Sequence, residues 1–206
     1  MSTFSIKLLA VVLMVIDHVG FFLMPSATIL RIIGRLSFPL FAFLIVNGYV
    51  YTSNFKKFFT RLFVFAVIIQ LPVLWIDIPV NIFFTLSFGL LMIHIYEKEP
   101  LFLVKIFYMF GVLVITYILN PDYSLYGVLL IFCIHLFKGK WFSLALSFMI
   151  LSLVFYGNNI QIYAVFSIPI MMLYNEKLGF KIKWLFYLFY PTHLVILNFI
   201  SERMEL

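Results

Sequence analysis

Apolar runs of about 17–25 residues recur along the whole chain, separated by short polar turns, and that is the length a bilayer crossing requires. Nine runs follow from the pattern. The first covers about Phe4 to Met24, and Pro25, Ser26 and Ala27 open a turn after it. Arg31 to Arg35 leads into a second, about Leu36 to Tyr51, kinked or begun at Pro39, because proline removes a backbone donor. Thr52 to Lys57 is a basic turn. A third run spans Phe58 to Trp75, with Asp77 and Pro79 in the turn that follows. The fourth goes from near Asn81 to Tyr96, ahead of Glu97, Lys98 and Glu99.

Leu101 to Leu119 forms the fifth, stopped by the turn pair Asn120-Pro121. The sixth, Tyr126 to Phe137, is short, and Lys138-Gly139-Lys140 comes next. Trp141 to Tyr156 is the seventh, closed by Gly157-Asn158-Asn159. The eighth, Ile160 to Tyr174, contains Pro169, and after Asn175 to Lys183 the ninth runs from Trp184 to about Ile200. The expected fold is therefore all-α: a polytopic integral membrane helical bundle of about nine transmembrane helices, residues 1–206 forming one domain. The pattern leaves open whether the fourth, sixth and eighth runs cross fully or re-enter.

The turns carry the orientation. Lys56, Lys57 and Arg61 flank the turn after the second run, and Lys98 and Lys105 flank the one after the fourth. Lys138 and Lys140 follow the sixth; Lys177, Lys181 and Lys183 follow the eighth. Turns after the third, fifth and seventh hold no Lys or Arg. Since cytoplasmic loops collect Lys and Arg, this alternation predicts an inside N-terminus, an outside C-terminus and a multi-pass membrane protein.

Composition agrees. Hydrophobic residues make up 65% of the chain and charged ones 11%, against about 45–50% and 25% in soluble proteins. The net charge of +6 is mostly the cytoplasmic Lys and Arg excess. The 27 Phe and 12 Tyr are not interleaved with basic residues, which excludes a nucleic-acid stacking surface. Cys133 is the only cysteine, so neither an intramolecular disulfide nor a cysteine metal site is built. Asp17 and His18 interrupt the first run and no small-residue cleavage site follows, so it is read as a retained helix.

One stretch breaks the charge pattern. Asp17, His18, Arg31 and Arg35 fall within nineteen positions, inside or beside apolar runs, and the turn that holds the two arginines should be external. An ionisable group in hydrocarbon costs from about 2.5 kcal/mol upward, so such groups face a protein interior or a wet cavity. His18 suits a general base. Helix neighbours point about 100° apart, so Asp17 need not touch His18; Arg31 or Arg35 is its expected partner. A buried polar knot fixing two helices is the alternative.

His193 follows Pro191 in the ninth run, and the sequence supports equally a role in chemistry and the satisfaction of the broken helix. Asn81 and Thr85 share a helical face at i, i+4, suited to bind substrate or to join helices. The basic turns, with Tyr174, Asn175 and Lys177, would attract an anionic nucleotide. His94 and His135 receive no role. No Gly-rich phosphate loop, His-Glu-x-x-His, Cys/His ligand set or serine elbow is present, which argues against zinc hydrolysis and P-loop chemistry, and no metal is expected. No internal repeat is visible, which weakens a transporter assignment.

The order of these residues resembles a family. Lys7-Leu8-Leu9-Ala10, Met14, Asp17-His18-x-Gly20 and Arg31-x-x-Gly34-Arg35-Leu36-x-Phe38-Pro39-Leu40-Phe41-Ala42-Phe43-Leu44 are followed by Gly48-Tyr49, Thr52-x-Asn54 and Arg61-Leu62. Asn81 with Thr85-Leu86, Tyr126-Gly127, Tyr174-Asn175 and Phe186-Tyr187-x-Phe189-Tyr190-Pro191-x-His193-Leu194 complete it. This resembles the TraX-type membrane protein family, whose founding role is N-terminal acetylation of conjugative pilin, over nearly the whole chain. More distantly it is similar to the transmembrane acyltransferases that include heparan-α-glucosaminide N-acetyltransferase.

The resemblance implies an acetyl-CoA-dependent acyltransferase of the bacterial inner membrane. His18 and Asp17 would be catalytic, with Arg31 and Arg35 supporting and His193 nearby. Asn81, Thr85 and Tyr126 would bind substrate; Lys56, Lys57, Arg61, Tyr174, Asn175, Lys177 and Lys181 would bind acetyl-CoA. One departure stands out: Glu176 occupies the position after the Tyr-Asn pair where family members tend to have Gly, and an acid there would repel CoA phosphates. The expected partners are acetyl-CoA, an acceptor on the outer side and the lipid bilayer, with no nucleic acid and a homodimer left open. A small permease and a non-catalytic assembly factor of a conjugation or secretion system remain the rival classes.

Overall fold

The computed structural model describes residues 1–73, 80–180 and 183–204. Among them all regular structure is helical. The first helix, α1 (Thr3–Phe22), starts where the Ser2 hydroxyl accepts the Ser5 N–H at 3.2 Å, relieving one of the N–H groups a helix start leaves orphaned. A short α2 (Thr28–Gly34) precedes α3 (Ser37–Tyr51). The two arginines of the first turn thus ride on or directly behind a separate helix. Pro39 falls in the first turn of α3, where a missing N–H leaves no hydrogen bond unmade, so it starts the helix and does not kink it.

Next come α4 (Phe55–Val73), α5 (Ile82–Lys98), α6 (Phe102–Leu119), α7 (Ser124–Leu136) and α8 (Trp141–Tyr156). The expected eighth span is two pieces, a 3-10 helix at Ile160–Phe166 and α9 (Ser167–Met172), with Pro169 again in a first turn. The last helix, α10 (Lys183–Met204), carries Pro191 in its interior. The expected close of the third span at Trp75, with Asp77 and Pro79, lies outside the described residues.

The chain forms two compact units, Met1–Leu44 with Phe148–Leu206, and Ile45–Ser147. It passes from the first to the second within α3 and returns within α8. In the first unit α1 packs against α2 and α10, and the 3-10 helix packs against α2 and α9. In the second, α5 lies against α4, α6 and α7. Its residues Thr85 to Leu90 are all buried, as expected of a helix apolar on every side. Gly89 makes the α5–α7 approach work: a methyl there would lie 2.9 Å from Ile131 Cβ.

Three stretches among the described residues are long and apolar enough to cross a membrane: Thr3–Phe22, Thr28–Tyr51 and Phe102–Leu119. On α6 only Val112 and Thr116 are buried, while Phe102 and Phe107 are each 71% exposed. An apolar helix so uncovered is a lipid-facing one. The protein is an all-α membrane bundle.

Within the second unit the basic turns share an end. The Tyr49 hydroxyl meets His94 Nδ1 at 3.3 Å, and His135 Nε2 meets Glu97 Oε1 at 2.7 Å, so the chain ends of α3, α5 and α7 lie together. At the other end the Asp122 N–H donates to the Val80 carbonyl at 2.7 Å. Within this unit, then, the turns after α3, α5 and α7 gather at one end and the turn after α6 meets Val80 at the other.

Candidate active site

Asp17 and His18 sit one turn from the end of α1 and serve two different helices, as their 100° offset requires. Asp17 is buried and turns toward α2. Arg31 Nη1 donates to Asp17 Oδ2 and to its backbone carbonyl, both at 2.9 Å. Arg35 Nη2 donates to Oδ1 at 2.8 Å and Oδ2 at 2.9 Å. Both arginines therefore hold the carboxylate, where the sequence offered either.

Two glycines let α2 come that close. A methyl on Gly34 would lie 2.6 Å from Asp17 Cα, and one on Gly20 would lie 2.9 Å from Leu30 Cβ. Small residues that allow backbones to meet are the usual device of membrane helix packing. Arg35 is further fixed by its Nε, which donates to the Arg31 carbonyl at 3.3 Å, and by Nη1, which reaches Gln161 Oε1 at 3.4 Å. Gln161 is buried on the 3-10 helix, and its carbonyl accepts from the Ser152 hydroxyl at 3.3 Å. Sequence reasoning passed over Gln161. The available signal was an amide placed between isoleucines in an apolar run.

His18 faces α10. Its Nδ1 lies 2.8 Å from His193 Nε2, and His193 Nδ1 lies 2.8 Å from the Phe189 carbonyl oxygen. The rings of the two histidines stack at 5.0 Å, and Phe189 stacks on His193 from the other side at 5.0 Å. A carbonyl only accepts, so His193 Nδ1 carries the proton. In the neutral ring Nε2 is then an acceptor, and His18 Nδ1 must donate to it. His18 Nε2 is left with a lone pair, and among the described residues it has no hydrogen-bond partner. The carbonyl used is that of Phe189, not the one Pro191 releases one turn back. Near the end of α10 the Ser201 hydroxyl donates to the Phe22 carbonyl at 2.9 Å, tying it to the end of α1.

A base oriented by a second group, beside paired guanidinium groups, is an arrangement suited to proton abstraction with stabilisation of developing negative charge. The family model described as TraX protein matches residues 2–201. The chain belongs to the TraX family. It is 26% identical to the probable fimbrial assembly protein FimC, serogroup H1, of Dichelobacter nodosus, a match covering 95% of this chain and 94% of that protein. It is also 44% identical to Uncharacterized protein RP591 of Rickettsia prowazekii (strain Madrid E), over 32% of this chain and 25% of that one. No solved structure matches.

The other residues singled out in this TraX-family chain have different surroundings. Asn81, Thr85 and Tyr126 belong to the second unit. Asn81 caps α5: its Oδ1 accepts the Phe83 N–H at 3.0 Å, and its Nδ2 donates to the Ala66 carbonyl and to Gln70 Oε1, each at 2.8 Å. The Thr85 hydroxyl donates to the Asp122 carbonyl at 2.5 Å, and Tyr126 is buried beside Tyr123. For Asn81 and Thr85 these bonds are helix joints, which leaves the substrate role without a free amide hydrogen at Asn81. Lys56, Lys57 and Arg61 are exposed on the first turns of α4, with Arg61 over the Phe58 ring at 5.7 Å. Among the described residues no group of three His, Cys, Asp or Glu side chains is placed to hold a metal ion.

Tyr174, Asn175 and Lys177 follow α9 in the first unit, and Lys181 lies outside the described residues. The segment is stitched to residues 1–4. The Asn175 N–H donates to the Met1 carbonyl at 2.9 Å, Thr3 N–H to Lys177 O at 2.8 Å and Phe4 N–H to Leu178 O at 3.1 Å. The Tyr174 hydroxyl meets Thr3 Oγ1 at 3.0 Å. Sequence reasoning missed this seam, since nothing in the pattern couples positions so far apart. Within it Glu176 takes φ +61°, a left-handed conformation that glycine adopts freely. A glycine at this position would adopt that conformation without strain. Glu176→Gly is expected to stabilise the protein against thermal unfolding in detergent by a few tenths to about 1 kcal/mol, and Glu176→Val to destabilise it by about 1–2 kcal/mol. A Val variant as stable as wild type would refute the strain.

Proposed function

We propose that this TraX-family protein is an integral membrane acetyltransferase of the inner membrane, moving an acetyl group from cytoplasmic acetyl-CoA to an amine or hydroxyl at the outer side. The observation that carries the proposal is the hydrogen-bond chain from the Phe189 carbonyl through His193 to His18, which leaves the His18 Nε2 lone pair to accept a proton. The acceptor gives its proton to that nitrogen while its lone pair attacks the thioester carbonyl. Arg35 and Arg31 stabilise the oxyanion as it forms. Collapse breaks the C–S bond, and the proton held at His18 returns to the departing CoA thiolate. The charge alternation of the turns supports an inside N-terminus, with the lysines on the side from which acetyl-CoA would come. A pilin N-terminus is the acceptor the family suggests.

The name of the Dichelobacter relative favours a second reading, a fimbrial assembly factor without catalysis. Incubating the purified protein with acetyl-labelled CoA and candidate acceptors separates the two. The enzyme releases free CoA and labels the acceptor; an assembly factor binds pilin and leaves the thioester intact.

A further inference from the structure

The proposed chemistry asks the two arginines for positive charge, and one buried amide bears on how much of it Arg35 keeps. Gln161 is 2% exposed, in the first turn of the 3-10 helix at Ile160–Phe166, and an amide withdrawn from water is costly unless it is bonded. Its backbone is held on both sides. The Asn159 side chain accepts the Ile160 N–H where that helix begins, and the buried Ser152 hydroxyl of α8 donates to the Gln161 carbonyl at 3.3 Å. The side chain then reaches the end of α2, where Oε1 lies 3.4 Å from Arg35 Nη1. A guanidinium offers donors only, so the carbonyl end of the amide must face it.

Charge is what singles this residue out. Arg31 and Arg35 bond the Asp17 carboxylate at 2.9 and 2.8 Å, so those three groups together carry one surplus positive charge. An amide bonds Arg35 without changing that sum. A carboxylate at the same position would hold the guanidinium more tightly and cancel the surplus. In a site withdrawn from water an oxyanion feels such a change strongly. We infer that Gln161 is a positioning residue for acetyl transfer: it aims Arg35 and, being neutral, leaves the surplus charge to the thioester oxygen as that becomes an oxyanion. Resting on the acetyltransferase proposal, this gives the 3-10 helix a role carried out through Arg35.

The test measures kcat and KM for acetyl-CoA on the purified full chain in detergent, with unfolding midpoints alongside. Gln161→Met keeps the side-chain length and removes the acceptor; Gln161→Glu keeps the acceptor and adds a charge. Expected losses in kcat are about three- to tenfold for Met and about ten- to a hundredfold for Glu. KM is expected to stay within about twofold, as for contacts that strengthen in the transition state. The Glu variant is expected to melt no lower than wild type, because an ion pair with Arg35 replaces the amide bond. A part in packing alone gives the reverse order, with Glu rescuing what Met loses. In Arg35→Lys protein, Gln161→Met is expected to cost nothing further, since groups that act as a unit are not additive. Wild-type kcat in either variant overturns the assignment while the enzyme stands. So does a loss confined to KM, one that tracks a lower unfolding midpoint, or one as large in the Arg35→Lys background. Wild-type protein that releases no CoA overturns the acetyltransferase proposal itself, and the assignment falls with it.

Discussion

Replacing His18 by alanine is expected to lower acetyl transfer by about 10²- to 10⁴-fold, the usual contribution of a positioned general base. His18→Gln is expected to fall as far, because an amide can keep a bond toward His193 yet cannot take up a proton. His193 acts through His18, and its variants behave differently. His193→Leu removes the acceptor that fixes the His18 tautomer and is expected to lose about ten- to a hundredfold. His193→Gln, whose carbonyl oxygen still accepts from His18 Nδ1, is expected to recover most of that. The measurement is release of free CoA with labelling of acceptor, each variant matched to wild type by its unfolding midpoint. Full activity in His18→Gln would remove the imidazole from the chemistry.

The second large effect belongs to a residue with no side chain. A methyl at Gly34 would be 2.6 Å from the Asp17 Cα, a main-chain atom that cannot swing aside. Gly34→Ala must therefore push α2 away from α1, carrying Arg31 and Arg35 off the carboxylate. Overpacking of this kind costs about 1–3 kcal/mol. A shift of about 1 Å in a positioning group costs about a hundredfold in rate. Gly20→Ala meets side-chain atoms, Leu30 Cβ at 2.9 Å and Arg31 Cδ at 3.2 Å, and is expected to be milder. Gly111→Ala on α6 meets nothing within 4 Å and should be silent. Thermal unfolding in detergent and acetyl transfer together check the series. A Gly34→Ala protein that melts and transfers like wild type would refute the close α1–α2 contact.

Much of this was legible in the apolar pattern. The breaks at Pro25 to Ala27, Asn120-Pro121 and Gly157 to Asn159 fall where turns occur, because each holds residues that helices reject. Asp17, His18, Arg31 and Arg35 were legible as a cluster because charge inside an apolar run is costly enough to need a reason. What stayed hidden were partners distant in the chain. His18 and His193 are 175 positions apart, and no periodicity within either helix encodes their meeting. The split of the eighth span into a 3-10 helix and α9 was hidden too, since both carry the same apolar composition. Asn81 read as a candidate substrate ligand or helix joint because it shares a helical face with Thr85 at i, i+4, where a polar amide costs energy until it is bonded. Its cap on α5 and its bonds to Ala66 and Gln70 meet that cost locally.

Because Asp17 and His18 are consecutive, α1 behaves as a spindle with two pegs. Turning it by a few tens of degrees would withdraw the carboxylate from α2 and the imidazole from α10 in a single stroke. A ligand that turned the helix at one peg would therefore move the other. An alanine inserted into α1 ahead of Asp17, which rotates everything after it by about 100° relative to what came before, would dismantle both couplings together.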